Sequence, residues 1–118
     1  SEQRTQMRRI NSAPDYVVGS VHAVTEDGKV VIASNSGSQL APYVFSAAHV
    51  IWVVGTQKIV KNLDEATKRI EEYTLKLEDE RLMNTYGMHS GIRKLLIVNS
   101  EVMPDRITII LVKEKLGF

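Results

Sequence analysis

The residues best suited to chemistry form one short polar loop, Ser34-Asn35-Ser36-Gly37-Ser38. Its hydroxyls, its amide and the backbone N–H groups that Gly37 keeps accessible can hydrogen-bond a phosphate or a carboxylate. The apolar run that follows, from Leu40 onward, favours a helix whose N-terminus attracts an anion. The loop matches neither the Walker A nor the dinucleotide-binding fingerprint. It therefore predicts an anion site without naming the anion.

Polar residues at the ends of predicted strands extend this site. Thr56-Gln57-Lys58 follows the apolar run at residues 50–54 and places a hydroxyl, an amide and a cation at a strand's carboxyl end, where open α/β sheets bind ligands. Lys58 either meets an anion held by the loop or simply begins the next connection. The predicted ligand-binding residues are Ser20, His22, Asn35, Ser36, Gly37, Ser38, Gln39, Thr56 and Lys58.

Glu26 is the candidate catalytic carboxylate. At a hairpin corner it would act as a general base or a nucleophile if the fold buried it in a cleft. The sequence Thr-Glu-Asp-Gly is equally an ordinary solvent-exposed turn. Both interpretations stay open at this point.

Three histidines, His22, His49 and His89, share no local metal-binding spacing, and we predict no metal site. His49 precedes a predicted strand and is interpreted as a structural residue. His22 lies near Ser20 in the predicted hairpin, and His89 lies in a glycine-flanked loop, so each is either functional or structural. The sequence alone does not define a Ser-His-Asp catalytic triad.

Composition excludes several kinds of chemistry. The chain has 118 residues, a net charge of +1 and no cysteine. It therefore has no disulfide, thiolate metal site, cysteine-bound iron–sulfur cluster or cysteine nucleophile. Basic residues are interleaved with acidic ones except at the N-terminus, and no apolar run reaches bilayer-spanning length. We expect one domain over residues 1–118, located in the cytoplasm and binding neither nucleic acid nor membrane.

The first third of the chain predicts a helix, a strand and a hairpin. Residues 2–10 have the spacing of a short amphipathic helix, and residues 11–14 predict a loop that ends at a proline. Residues 16–18 predict a buried strand. Two apolar runs around Asp27-Gly28 predict a β-hairpin over residues 21–33.

The middle of the chain predicts a βαβ crossover. Leu40, Val44, Phe45 and Ala48 recur at helical spacing, which predicts a helix of two to three turns. Residues 50–54 are all β-favouring and predict a strand buried on both faces, as parallel strands usually are. The order of hairpin strand, helix and strand then favours a parallel crossover.

The last half predicts one long helix and two strands. Asn62 and Glu65 have the spacing of a capping box, and the helix extends to Asn84. Residues 94–98 and 106–112 predict strands, and the apolar residues at 116–118 are expected to return to the core. The predicted buried stripe is Leu63, Ala66, Ile70, Tyr73 and Leu77. The predicted solvent face is Lys68, Arg69, Glu71, Glu72 and Lys76.

Taken together, these segments resemble the LUD-domain family, the lactate-utilisation proteins. The order of the segments is more specific than any one of them, and the similarity runs from Asp15 to Phe118. The segments that carry it are residues 15–28, 34–38, 50–55, 58–60, 63–66 and 110–118.

The resemblance implies an α/β three-layer sandwich with a mostly parallel sheet plus a β-hairpin, like the sugar-phosphate isomerase and CoA-transferase superfamily. It also implies that the chain is the C-terminal part of a longer domain, consistent with its start at Ser1 without an initiating methionine. Family members are associated with L-lactate oxidation alongside iron–sulfur partner proteins. The cysteine-rich segment of some short relatives is absent at residues 84–93, so no redox or metal role is carried over.

Three functional hypotheses follow. In the first, the loops bind a small anionic metabolite, a carboxylate or a phosphate compound. In the second, the protein is an enzyme of the isomerase or acyl-transfer type that uses a buried Glu26. In the third, it is an interaction subunit whose apolar edge pairs with another chain, either in a homo-oligomer or with lactate-oxidation partner subunits. No cofactor follows from the sequence.

Overall fold

The apolar run in the middle of the chain forms the central strand of a parallel sheet. This strand, β4 (His49–Gly55), lies between β1 (Tyr16–Gly19) and β7 (Ile107–Val112), and both neighbours run parallel to it. The computed structural model describes residues 1–11 and 14–118. Ser12 and Ala13, in the predicted loop at residues 11–14, lie outside the described residues.

One face of this parallel sheet is buried and the other is open. On β4, Val50 and Trp52 are fully buried, whereas Ile51 and Val53 are half-buried. The prediction that this strand is buried on both faces was therefore wrong. So was the prediction of a buried strand at residues 16–18: Tyr16 is 63% and Val18 66% exposed, because β1 is an edge strand and, in the described part of the chain, no layer covers its outer face.

The second sheet contains the predicted hairpin. Its strand order is β5 (Ile59–Val60), β2 (Ala23–Thr25), β3 (Val30–Ser34) and β6 (Lys94–Val98). The antiparallel pairing of β2 with β3 around Asp27-Gly28 confirms the hairpin prediction, and Gly28 has φ of +90°, which suits glycine. Strand β6 pairs antiparallel with β3, and β5 pairs parallel with β2.

The predicted βαβ crossover was wrong in two respects. Strands β3 and β4 belong to different sheets, so β4 finds its parallel partner in β1 instead. The predicted helix of two to three turns is shorter in the structure: residues 40–41 are helical and lead into one π-helical turn, Pro42–Ser46. Its exposed residues include Val44 and Phe45, two members of the expected apolar stripe.

That π-helical turn is packed by a different set of side chains. Tyr43 is buried and meets Trp52 edge to face, with ring centroids 5.3 Å apart. Its ring also lies over Gly19, where a Cβ atom would collide with the tyrosine hydroxyl. The turn thus connects the parallel sheet to the rest of the core through an aromatic contact.

The helical layer begins as predicted. Helix α1 (Glu2–Asn11) confirms the N-terminal helix, and α2 (Leu63–Arg69) starts at the Asn62 cap, whose Oδ1 accepts from the Glu65 N–H at 3.0 Å. The Glu65 carboxylate accepts from the Lys61 N–H at 3.0 Å, so the capping box closes one residue earlier than its usual form.

A π-helical turn, Ile70–Thr74, joins α2 to α3 (Leu75–Tyr86), which ends at Gly87 with φ of +66°. The π-helical turn widens the helix by one residue. Thr74 is therefore buried in place of the predicted Tyr73, while Ala66 and Ile70 are buried as predicted.

The layers pack around two apolar clusters. The larger cluster lies between the sheets and includes Val21, Ile32, Tyr43, Trp52 and Val54. The smaller one lies between the mixed sheet and α2 and consists of Ala23, Val31, Ala66 and Ile70. Two sheets and a helical layer confirm the predicted α/β three-layer arrangement.

The end of the chain returns to the body of the protein, as expected. The Gln57 side-chain amide donates to the Leu116 carbonyl at 2.7 Å, and the Thr74 hydroxyl donates to the Phe118 carbonyl at 3.3 Å. Among the described residues, no helix is both long enough and apolar enough to cross a membrane.

Replacing Arg106 with methionine is expected to destabilise the fold strongly. The Arg106 side chain is only 3% exposed and donates to the carbonyls of Pro42, Tyr43 and Ala47 at 2.8 to 3.1 Å. Methionine keeps much of the apolar stem but leaves three carbonyls without their donor, so we expect a loss of about 2–4 kcal/mol in the free energy of unfolding. Urea denaturation measures this loss of stability.

Arg8→Met, on the exposed helix α1, is the control and should change the free energy of unfolding by less than about 0.5 kcal/mol. Equal stability of the two variants would contradict the role assigned to Arg106.

Candidate functional site

A cavity of about 450 Å³ opens between the polar loop that follows β3 and the helix α3. The loop contributes one wall, α3 the second, and a short segment before β6 the third. The residues that line it are His22, Ala33, Ser34, Asn35, Ser36, Ser38, Gln39, Thr74, Leu75, Glu78, Arg81, Leu82, Ser90, Gly91, Ile92 and Phe118. The volume is that of a site for a small molecule.

The loop is held in shape by its own hydrogen bonds. Ser34 Oγ accepts from the Gly37 N–H at 2.7 Å and donates to Gln39 Oε1 at 3.0 Å, and Ser36 Oγ accepts from the Ser38 N–H at 3.3 Å. Gly37 has φ of +90°, and a Cβ atom there would lie 2.7 Å from the Lys94 side chain. The reversal of the chain therefore requires glycine at this position.

Two cations at the start of β6 lie against the loop. Lys94 Nζ donates to the Ser36 carbonyl at 2.7 Å, and the Arg93 guanidinium donates to Asn35 Oδ1 at 3.4 Å. Both contacts fix the loop to β6. They also place positive charge beside its hydroxyls and amides.

His22 lines the cavity as a neutral imidazole. Its Nδ1 accepts from the Ala33 N–H at 3.0 Å, so the ring proton of the neutral form is on Nε2. Burial, followed by the positive charges of Lys58 and Arg69, lowers the pKa of His22 to about 4. At neutral pH the ring therefore presents an uncharged N–H donor.

Behind His22 lie two cations that no carboxylate neutralises. Lys58 is 4% exposed, and its Nζ donates to Ser20 Oγ at 3.1 Å. The partly buried Arg69 donates to the His22 carbonyl and to Thr74 Oγ1, both at 2.8 Å. Within the described residues, neither cation has a carboxylate oxygen within 4.0 Å. Burial lowers the pKa of both groups, and the Arg69 charge lowers that of Lys58 further.

Most of the predicted binding residues come together. His22, Asn35, Ser36, Ser38 and Gln39 line the cavity, and Gly37 shapes the loop. Ser20 and Lys58 lie behind His22 rather than in the lining. Thr56 begins a 3₁₀ turn, Thr56–Lys58, and does not line the cavity.

Glu26 does not reach this site. It is exposed at the tip of the hairpin, where its backbone N–H donates to the Val60 carbonyl at 2.9 Å. Glu26 opens the three-residue loop 26–28 between Thr25 and Lys29, and among the described residues no other element buries its side chain. The burial that a catalytic role for Glu26 would require is therefore missing.

Other histidines have structural surroundings. His89 Nδ1 lies 3.1 Å from the Asp79 carboxylate, which also accepts from the Ser90 N–H at 2.7 Å, and the His89 side chain is 75% exposed. His49 is exposed and stacks on Tyr16 with ring centroids 4.6 Å apart. The described residues contain no group of three or more side chains suited to hold a metal ion.

Six residues of the long helix were not among the predicted site residues. The lining includes Thr74, Leu75, Glu78, Arg81 and Leu82, and Arg69, which was expected to face solvent, lies behind it. Glu78 and Arg81 form an ion pair that lowers the pKa of the Glu78 carboxyl.

The architecture defines an α/β protein with a polar cavity beside a strand-to-helix loop. The model of the LUD domain matches residues 1–112 of the 118-residue chain. The chain therefore belongs to the LUD-domain family, which is associated with lactate utilisation. Neither curated proteins nor solved structures give a match to it.

The lowered pKa of His22 predicts acid sensitivity. In the unfolded chain His22 takes up a proton near its ordinary pKa of 6.5. In the folded protein its pKa is lowered to about 4, so the ring stays neutral until the pH falls to about 4. Stability is thus fully present above pH 6.5 and is lost as the pH falls towards 4, by up to about 3 kcal/mol. In His22→Asn, whose amide oxygen can still accept from Ala33, this loss should be much smaller. Urea denaturation from pH 4 to 7 measures it, with His49→Asn as the exposed control. Identical pH profiles for wild type and His22→Asn would contradict the assignment.

Proposed function

We propose that this LUD-domain protein binds a small anionic metabolite, a carboxylate or a phosphate compound, in the cavity between the loop at residues 34–39 and α3. The chemistry of the family directs attention to lactate and pyruvate, which are both carboxylates. The protein would act where these metabolites are found, in the cytoplasm.

One observation carries this proposal: Lys58 is buried and Arg69 is partly buried, and among the described residues neither has a carboxylate partner. Burying an unpaired charge costs several kcal/mol, and proteins rarely retain such a charge unless something compensates it. The neighbouring acceptors, Ser20 Oγ and the His22 carbonyl, are neutral. A bound anion would supply the missing charge.

The cavity also supplies donors suited to an anion. The Nε2–H of a neutral His22 donates without adding charge, and the hydroxyls of Ser36 and Ser38 lie on the same lining. In the cavity lining, the negative charge of Glu78 is matched by the positive charge of Arg81. Lys58 and Arg69, behind His22, add positive charge that neither of these residues offsets. The excess of positive charge around the cavity therefore favours the binding of anions over cations.

Removing either buried charge should weaken anion binding. In calorimetric titrations with lactate, pyruvate, sugar phosphates and CoA esters, we expect Lys58→Met and Arg69→Met to raise the Kd of any binder at least about tenfold, since each removes a charge from a partly desolvated site. Raising the salt concentration should weaken wild-type binding in the same direction.

Lys68→Met is the matched control because Lys68 is exposed on the same helix, one residue from Arg69. It should bind like the wild type. Thermal denaturation of each variant separates loss of binding from loss of folding. If no compound in the screen binds the wild-type protein, or if Lys68→Met weakens binding as much as Lys58→Met, the proposal fails.

A second candidate function, an interaction subunit, is favoured by the open face of the parallel sheet. The strand register places Tyr16, Val18, Ile51, Val53 and Ile110 on this outer face. Parallel sheets are normally covered on both faces, and a contiguous apolar surface marks an interaction site. We propose that a second copy of the chain packs on the outer face about a two-fold axis.

The mass in solution tests this proposal. Light scattering during gel filtration should give twice the 13.2 kDa of one chain. Val18→Lys places a charge on the outer face and should shift the protein towards the monomer. Val102→Lys, at a residue that is exposed away from any strand, should leave the dimer intact. A wild-type monomer at high micromolar concentration would rule out this dimer.

A further inference from the structure

The cavity has two chemically different walls. On α3, Leu75 and Leu82 are seven residues apart and therefore lie on the same helix face, where both line the cavity. Ile92 adds to this apolar wall. The opposite wall is the polar loop, with the side chains of Asn35, Ser36 and Ser38 in the lining.

The three apolar side chains are half-buried rather than part of the core. Leu75, Leu82 and Ile92 each keep some exposed surface. Part of this surface faces the cavity, since all three belong to its lining. An aliphatic group placed against them would bury apolar surface at about 25 cal/mol per Å².

The volume exceeds what a three-carbon acid needs. A cavity of about 450 Å³ corresponds to about fifteen water molecules at ~30 Å³ each. Lactate or pyruvate bound at His22 would leave the apolar wall in contact with water. A longer ligand would fill both parts of the site.

The charge of such a ligand has a defined position. His22 lines the cavity, and because its Nδ1 accepts from the Ala33 N–H, its neutral ring carries the proton on Nε2. The Arg69 guanidinium donates to the His22 backbone carbonyl at 2.8 Å. Glu78 lies between Leu75 and Leu82 on the helix, but its carboxylate is held by Arg81. The anionic end is therefore favoured at His22, with the remainder of the ligand along the helix.

We propose that the ligand is an amphipathic acid: a carboxylate head at His22 and an aliphatic tail longer than that of lactate against Leu75, Leu82 and Ile92. This inference rests on the proposed function, because it requires that the cavity bind anions. It adds the substrate class, 2-hydroxy or 2-oxo acids with four or more carbons.

A homologous series of 2-hydroxy acids tests the tail while keeping the head constant. Calorimetric titration of the wild-type protein with lactate, 2-hydroxybutyrate, 2-hydroxypentanoate and 2-hydroxyhexanoate should show about threefold to fourfold tighter binding for each added methylene. The corresponding 2-oxo acids should follow the same trend.

The Leu82→Asn variant tests whether the apolar wall on α3 causes the gain in affinity per methylene. This variant should reduce the gain per methylene to about 1.5-fold or less. Met83→Asn is the control, since Met83 is the next residue on α3, is 41% exposed and does not line the cavity. Leu75→Asn serves as a second test if Leu82→Asn does not fold.

The outcomes separate this inference from the proposal beneath it. If the acids bind with equal affinity and salt weakens them all, anion binding stands and the amphipathic ligand is wrong. If phosphates or CoA esters bind but no 2-hydroxy acid does, anion binding again stands and this inference is overturned. If nothing in either set binds, both fail. If Leu82→Asn and Met83→Asn reduce the chain-length dependence equally, the tail contacts another surface and the assignment to α3 is wrong.

Discussion

The arrangement of the two sheets depends on the buried guanidinium of Arg106. It lies at the start of β7 and donates to three carbonyls of the π-helical turn and the residue after it. Buried carbonyls need donors, and of these three the Pro42 carbonyl also accepts from the Ala47 N–H at 3.2 Å. By satisfying them, Arg106 holds Tyr43 against Trp52, and this contact joins the parallel sheet to the cluster between the sheets.

The same arrangement creates the cavity. Because the chain leaves β3 in one sheet and enters β4 in the other, the connection at residues 35–48 crosses between them. Its first part forms the polar loop, which Lys94 and Gly37 hold open beside α3. The site thus forms where the chain changes sheets, which is the kind of crevice that α/β proteins use for ligands.

The electrostatics of the site arise because two positively charged side chains are buried or partly buried without carboxylate partners among the described residues. Lys58 and Arg69 donate to neutral oxygens, and Arg69 also lies over the Tyr73 ring. Burial, followed by these two positive charges, lowers the pKa of His22, so its ring is neutral at neutral pH and does not add to their repulsion. In a LUD-domain protein associated with lactate utilisation, this arrangement suits a carboxylate head. The apolar side chains of α3 extend the site beyond the size of lactate.

Local sequence determined much of the secondary structure. The Asp27-Gly28 turn, the Asn62 cap and the strands of the second half depend on neighbouring residues, and the structure has them where the sequence placed them. The polar loop was also found from the sequence, because small hydroxylated residues around glycine have little use in a core. Residues such as Arg69 and Arg81 were not found, because a charged residue on an amphipathic helix has the same local pattern whether it faces solvent or a cavity.

Only the tertiary structure decided which sheet each strand joins and what becomes buried. The spacing of Leu40, Val44 and Ala48 favoured a longer helix, but the carbonyl bonds of Arg106, which come from 59 to 64 residues away, fix a single π-helical turn. Glu26 had the same sequence context whether buried or exposed, and only the absence of a covering element leaves it in solvent. The sequence by itself determined the local elements and the polar loop. The partners of Lys58, His22 and Arg69 were decided by packing, since they come from separate elements that no local pattern relates.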